Sequence, residues 1–122
     1  MNQINSLILE GNVVTDCVVT EPKPDFLVGK FTMEVGRFYK NKDNEMTKES
    51  SYFEIECYEC MTKLLSSKIT KGRGIRVVGR IKSECITNLD NRKYSRVFVV
   101  AEHIEFKPFS QKQEEENVCN KN

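Results

Sequence analysis

The sequence predicts an all-β domain, a five-stranded Greek-key barrel with one short helix between its third and fourth strands. Five segments alternate apolar and polar residues, as strands with one buried face do. Only one segment, residues 61–70, repeats its apolar residues at helical spacing, and it lies between the third and fourth alternating segments. This order of elements is that of the OB-fold.

The first two strands are separated by a proline-rich stretch. Ile4–Val14 is apolar and branched, and Gly11 within it predicts a bulge or sharp bend that lets one strand serve two sheets. Residues 17–19 are interpreted as its short continuation. Residues 21–25 hold two prolines and are predicted to form a loop. Phe26–Tyr39 alternates again and is the long second strand.

The third strand, Tyr52–Tyr58, follows the polar residues 41–50, which we interpret as an extended, mobile hairpin loop. One face of this strand is apolar and points to the core. The other face is polar and carries Tyr52, Glu54, Glu56 and Tyr58.

The fourth strand lies in a basic, glycine-rich stretch, Lys71–Lys82, with three of the six glycines of the chain. One face of the strand is predicted to close the barrel and the other to meet an anion. A turn at residues 89–93, in which Asp90 or Asn91 takes a positive φ, leads to a fifth strand from Tyr94 to about Phe106. The core-facing residues are Ile75, Val77, Gly79 and Ile81, and the outward ones Arg76, Val78, Arg80 and Lys82.

Charge is segregated along the chain although the formal net charge is only +1. Residues 63–96 contain ten lysines and arginines against two acidic residues, so the rest of the chain is acidic. Such segregation is typical of a protein that binds a polyanion. A solvated basic face without a ligand is the alternative.

The length of 122 residues predicts one domain, residues 1–108, and a disordered polar tail, residues 109–122. No apolar run is long enough to span a membrane and no signal peptide is visible, which predicts a cytoplasmic protein. The five scattered cysteines indicate reduced, mostly buried thiols. Three of them, Cys17, Cys57 and Cys85, fall in predicted strands.

The sequence contains only weak matches to metal-binding, redox and phosphate-binding motifs. Cys57 and Cys60 have the spacing of a zinc or redox pair, but no second such pair follows, and His103 is the only histidine. The glycines of Lys71–Lys82 follow a helix, whereas a phosphate-binding loop precedes one. We therefore expect no metal, no cofactor and no enzymatic activity.

Five blocks of sequence resemble the DNA-binding domain of bacterial single-stranded DNA-binding proteins in order and spacing. The resemblance covers residues 1 to about 108. The small primosomal OB proteins of replication restart share these blocks, and the appended tail favours the main family. The blocks are INSLILEGNVVTD, KFTMEVGRFYKNK, SYFEIECYECMTKLL, KGRGIRVVGRIK and FVVAEHIEF.

The resemblance implies sequence-independent binding of single-stranded DNA in replication, recombination and repair, by a cytoplasmic protein at the nucleoid. Aromatic side chains would stack on bases and cations would contact phosphates. By position, the platforms fall on Tyr39 (with Phe38 as the alternative), Tyr52 and Tyr58, and a further family aromatic falls on Ile86. The predicted basic contacts are Arg37, Lys40, Lys71, Arg73, Arg76, Arg80, Lys82, Arg92 and Lys93. A protein-interaction module of the same fold, without a nucleic-acid ligand, is the alternative.

The chain departs from the family in three ways. It contains no tryptophan, and Glu54 and Glu56 flank the tyrosines of strand three, so Arg76, Arg80 and Lys82 are expected to carry more of the binding. The tail lacks the acidic tip by which the family recruits replication and repair proteins.

Assembly in the family runs through the first strand, here residues 5–13, which implies a homotetramer, with a dimer as the alternative.

Overall fold

The computed structural model describes residues 1–108, and the predicted tail lies outside them. The described residues form six strands and one short helix, α1, which a 3₁₀ turn extends. The strands are β1 (Leu7–Val13), β2 (Val18–Lys23), β3 (Phe26–Lys40), β4 (Met46–Tyr58), β5 (Gly74–Thr87) and β6 (Lys93–Phe106); α1 is Glu59–Leu65, and the 3₁₀ turn is Ser66–Lys68.

Five of the strands close into a barrel. Their hydrogen-bonded order is β1, β5, β6, β4, β3, and β1 pairs a second time with β3. Most pairs are antiparallel, whereas β4 and β6 run parallel where Ile55 and Glu56 face Val99 and Val100. The predicted OB-fold, with its helix between the third and fourth barrel strands, is confirmed.

Two glycines permit the close approach of strands that closure requires. β1 turns from β5 to β3 at its end, and a Cβ at Gly11 would overlap the carbonyl oxygen of Glu34. A Cβ at Gly79 would overlap the carbonyl oxygen of Val100, next to a shift of register between β5 and β6. Gly11 therefore serves two strand pairings, as the sequence predicts.

The core fills the barrel and continues under α1. Met33, Ile55 and Ile75 are fully buried, and the hydroxyl of Thr62 in α1 donates to the carbonyl oxygen of Cys57 (2.9 Å). Ile81, predicted to face the core, is 50% exposed. It has the inward parity but lies beyond the closed part of the barrel, so the prediction for this residue is wrong.

The segment predicted as a proline-rich loop begins as strand. Glu21, Pro22 and Lys23 belong to β2, whose only strand partner within residues 1–108 is β3. An edge strand accepts proline because one row of its amides has no strand partner. The turn itself is at Pro24 and Asp25; Asp25 has a φ of 63°, and its backbone N–H donates to the Glu21 carboxylate (2.8 Å).

The polar stretch predicted as a loop at residues 41–50 is mostly strand, because Met46–Ser50 belongs to β4. The loop is only residues 41–45, and it has the same architecture as residues 88–92. In each loop, the side-chain oxygen of the first asparagine accepts hydrogen bonds from the backbone N–H groups of the residues two and four positions later, at 2.9–3.1 Å. Asn44 and Asn91 take positive φ angles of 62° and 63°, which confirms the prediction for Asn91.

The prediction of mostly buried thiols is wrong for two of the four cysteines within residues 1–108. Cys57 is buried and Cys17 half-buried, but Cys60 and Cys85 are exposed. Cys85 lies in a strand, as predicted, where β5 extends past the barrel and has no core beneath it.

Candidate nucleic-acid interface

Two hairpins extend from the same end of the barrel. β4 and β6 begin at the loops of these hairpins, and because they pair in parallel, both loops lie at one end. We call them the β3–β4 arm (residues 36–50) and the β5–β6 arm (residues 83–97). The sheet continues between the bases of the arms.

The outward side of β4, β6 and β5 forms one continuous surface, the central sheet face. Its continuity follows from register: Lys82 faces Phe98 and Glu84 faces Arg96, while the Arg96 side chain reaches Glu54 on β4. Of the predicted site residues, it brings together Tyr52, Tyr58, Arg80, Lys82 and Ile86. The full set is Tyr52, Glu54, Glu56, Tyr58, Arg80, Lys82, Glu84, Ile86, Tyr94, Arg96 and Phe98.

The two β4 tyrosines differ in exposure. Tyr52 is 60% exposed, and its hydroxyl donates to the carboxylate of Glu34 across the sheet (3.1 Å). Tyr58 is partly covered by Phe26, with ring centroids 5.7 Å apart. Burial raises the pKa of Tyr58, and the charges of Glu56 and Glu84 raise it further. The Tyr58 phenol is therefore neutral at physiological pH and does not repel a polyanion.

Arg96 lies at the centre of this face and was missed by the sequence reasoning. Its Nε donates to Glu54 (3.1 Å), and its guanidinium group lies 3.6 Å from Glu56 and 3.9 Å from Glu84. The guanidinium carbon lies 4.2 Å from the ring centroid of Phe98. Tyr94, Arg96 and Phe98 share one parity of β6, so the alternation of that strand was the available signal.

The charges on the central sheet face balance, with three cations against three carboxylates. Lys82 lies 3.4 Å from Glu84, and Arg80 lies 3.7 Å from Glu102 on β6. In the arms, by contrast, several cations carry no ion pair within residues 1–108. These are Lys40 and Lys42 at one tip and Arg92 and Lys93 at the other.

The β3–β4 arm presents its two adjacent aromatic residues on opposite faces. Phe38 pairs with Lys48 and shares the outward face with Tyr52, whereas Tyr39 points to the other side. The guanidinium of Arg37 lies over the Tyr39 ring, 5.3 Å from its centroid. Phe38 is therefore the residue of the two that continues the surface of the β4 tyrosines.

Arg76 lies apart from the central sheet face. Its guanidinium contacts Glu10 on β1 (2.8 Å) and Glu105 on β6 (3.4 Å), and the hydrogen bond to Glu10 is the main cause of its raised pKa. Arg76 lies on the same outward side of β5 as Arg80, four residues or about 13 Å from it and further from the arms. Two carboxylates therefore already bind the arginine at this end of the predicted basic strand.

Lys71 and Arg73 lie near Arg76, in the turn that enters β5. The backbone N–H of Lys71 donates to the carboxylate of Asp16 (2.7 Å). The guanidinium of Arg73 donates to the carbonyl oxygen of Lys107 (3.2 Å) and lies over the ring of Phe106. These contacts hold the turn against the end of β6.

Comparison with known proteins defines the family. The sequence model of the single-strand binding protein family matches residues 4–107. The chain therefore belongs to the single-strand binding protein family.

The relatives include bacterial proteins of similar sequence. The chain is 29% identical over 101 residues to the single-stranded DNA-binding protein of Aquifex aeolicus, covering 83% of this chain and 68% of that protein. It is 28% identical over 96 residues to single-stranded DNA-binding protein 1 of Streptococcus pyogenes, covering 79% and 70%.

Solved structures share the fold at lower identity. The Plasmodium falciparum SSB in complex with ssDNA superposes with a TM-score of 0.75 at 17% identity, covering 88% of this chain and 98% of that one. A deletion mutant of the single-stranded DNA binding protein from Thermus aquaticus has a TM-score of 0.75 at 16% identity, covering 86% and 51%. Both establish the fold.

Residues 1–108 contain no group of three or more His, Cys, Asp or Glu side chains placed to hold a metal ion. No helix among them is long and apolar enough to cross a membrane.

Proposed function

We propose that this protein binds single-stranded DNA without sequence preference and performs no covalent chemistry. The observation that carries the proposal is the central sheet face, where exposed aromatic side chains lie between two cationic arms. Membership of the single-strand binding protein family supports it. Every base has a π-face, so stacking combined with phosphate contacts captures any sequence.

Bases would contact the aromatic side chains of the central sheet face, and phosphates would contact the arm tips and the cations Arg80 and Lys82. Tyr52, Tyr58 and Phe38 offer aromatic surface on one side of the sheet. The cations of the arm tips carry no ion pair within the described part of the chain, so a phosphate would not have to displace a paired carboxylate from them. Lys82 and Arg80 would each have to release a carboxylate before binding a phosphate. Their ion pairs are exposed to solvent and therefore weak, so this release costs little.

The test is a fluorescence anisotropy titration of labelled oligo-dT across a range of salt concentrations, with a duplex of equal length as control. Four phosphates neutralised at the arm tips give a log–log slope of about −3 per protomer. Tight binding of the single strand and weaker binding of the duplex are expected. No binding of oligo-dT at low salt would refute the proposal.

The balanced charges of the central sheet face favour one other candidate, a protein-interaction module. Its three carboxylates would meet basic side chains of a partner, and its tyrosines would serve an interface. This candidate predicts a titration with oligo-dT that stays flat, so the same experiment separates the two functions.

We also propose that the protein assembles with itself, as a tetramer in preference to a dimer. Two features support assembly: the edge of β1 opposite β5 has no strand partner over most of its length within residues 1–108, and apolar side chains are exposed beside it. Leu7, Ile81 and Val97 line an apolar cavity of about 220 Å³ where β4 and β6 diverge. Light scattering measures the mass; a monomer at micromolar concentration would contradict the proposal.

The proposed role is protection of single strands in DNA replication, recombination and repair, in the cytoplasm at the nucleoid. Replication and repair proteins are candidate partners. Co-localisation of the tagged protein with replication foci would support this role, and a membrane or secreted location would refute it.

A further inference from the structure

We propose that the guanidinium group of Arg96 is a base-stacking platform at the centre of the interface. The proposal rests on the binding of single-stranded DNA proposed above, and it adds one stacking position to the aromatic side chains already named. A guanidinium plane can stack on a nucleobase as an aromatic ring does. Three properties of Arg96 assign it this role: what lies beneath it, what surrounds its edges, and what flanks it.

An aromatic ring lies beneath the guanidinium group. Phe98 points outward from β6 yet is only 2% exposed, because Arg96 and Lys82 cover its ring at 4.2 and 6.0 Å from the centroid. The Arg96 side chain is itself 24% exposed. One side of the guanidinium group therefore rests on Phe98, and solvent reaches it from the other.

Carboxylates occupy the edges of the guanidinium group. Glu54 accepts a hydrogen bond from Nε at 3.1 Å, and Glu56 and Glu84 lie 3.6 and 3.9 Å away. A phosphate would need these N–H groups and would meet three like charges, whereas a base needs only the open face. The Glu56 side chain is 7% exposed, so this anchor resists displacement.

Arg96 also fills a gap in the row of platforms. Tyr52 and Tyr58 are six residues apart on β4, a distance of about 20 Å. Two of the three glutamates beside Arg96, Glu54 and Glu56, are the outward residues between these tyrosines. A DNA strand that runs from one tyrosine to the other would pass the guanidinium group of Arg96. A base could stack on that group there, which adds a platform to a chain that contains no tryptophan.

The test compares Arg96→Lys, which keeps the charge and removes the plane, with Arg96→Gln, which removes both. Arg96→Lys is expected to weaken binding of oligo-dT by about 5- to 150-fold, the range measured for one stacked base. The salt slope should stay that of the parent, because no phosphate contact is lost. Parent-like binding by Arg96→Lys, or a slope reduced by about 0.7 in Arg96→Gln, would overturn the proposal.

A strand with abasic sites supplies the matched ligand. It keeps the phosphates and lacks the base, so the deficit of Arg96→Lys should disappear on it. An equal deficit on both strands would mean that the substitution perturbs the sheet or the backbone path, and would also overturn the proposal. Failure of the parent protein to bind oligo-dT would instead refute the proposed function.

A measurement on the unmodified protein decides the matter if the variants do not fold. The ring current of a stacked base should shift the Arg96 Nε–H proton resonance upfield when oligo-dA binds. The abasic strand should leave that resonance in place. The same shift with both strands would refute stacking on Arg96.

Discussion

Glu84→Gln should tighten the binding of single-stranded DNA. Glu84 lies 3.4 Å from Nζ of Lys82 on the central sheet face, and the two side chains are 40% and 43% exposed. The substitution removes one carboxylate and keeps the size of the side chain. Lys82 then loses its internal anion and is available to a phosphate.

The expected gain follows from the geometry of this pair. A phosphate oxygen in contact with Lys82 Nζ would lie about 2.8 Å from it on the side away from Glu84, which puts the two anions about 6 Å apart. At that distance like charges repel by about 0.7 kcal/mol in bulk water and about 3 kcal/mol at an effective dielectric constant of 20. Because both side chains are well hydrated, a gain near the lower figure is expected, about 3- to 10-fold in affinity.

Anisotropy titrations with oligo-dT at several salt concentrations measure this gain. It should shrink as salt rises, because screening weakens the repulsion being removed. Glu59→Gln is the matched control, since it changes the net charge equally from helix α1. An equal gain in the control would mean that only total charge matters, and unchanged or weaker binding by Glu84→Gln would refute the placement of a phosphate beside Lys82.

Three further predictions concern the arm, the barrel and a half-buried thiol. Phe38→Ala should weaken oligo-dT binding more than Tyr39→Ala in anisotropy titrations, because only Phe38 shares the face of the β4 tyrosines; the reverse order would contradict the register. In urea unfolding, Gly79→Ala should lower the free energy of unfolding far more than Gly72→Ala, because a Cβ at Gly79 overlaps a backbone carbonyl. A Cβ at Gly72 (φ 92°) meets nothing within 4 Å, so that substitution costs only about 1–2 kcal/mol of backbone strain. Equal losses would refute the close approach at Gly79. Burial raises the pKa of Cys17 to about 11, so mass spectrometry should find it protected from alkylation at pH 8 while exposed thiols react, and its deprotonation should lower stability as the pH rises from about 9 to about 11.

Much of the fold is encoded locally and could be predicted from the sequence. The alternation of β4 gave the outward parity of Tyr52 and Tyr58, because side chains of a strand alternate with a period of exactly two residues. Gly11 and Asn91 were recognisable because few residue types tolerate close backbone approach or a positive φ. The resemblance to a family supplied the strand order that connects these pieces.

Local sequence patterns could not predict where the two arms begin and end. Residues 46–50 are polar on both faces because the β3–β4 arm extends past the barrel, so its sequence resembles a loop. Ile81 has the parity of a core residue but lies past the closed section. Burial depends on which strand covers a residue, and that is decided by tertiary packing.

The pattern of residues predicts the barrel, the outward tyrosines of β4 and the excess of basic residues in positions 63–96. Tertiary contacts determine which of those cations are neutralised, because Arg76 meets Glu10 across 66 positions of sequence and Arg96 meets Glu54 across 42. The pairing of strands that are distant in sequence brings such charges together, and no local pattern encodes which strands pair. Arg76, at one end of the basic strand, is for this reason bound by two carboxylates, and Arg96, which lies outside that strand, occupies the centre of the proposed interface.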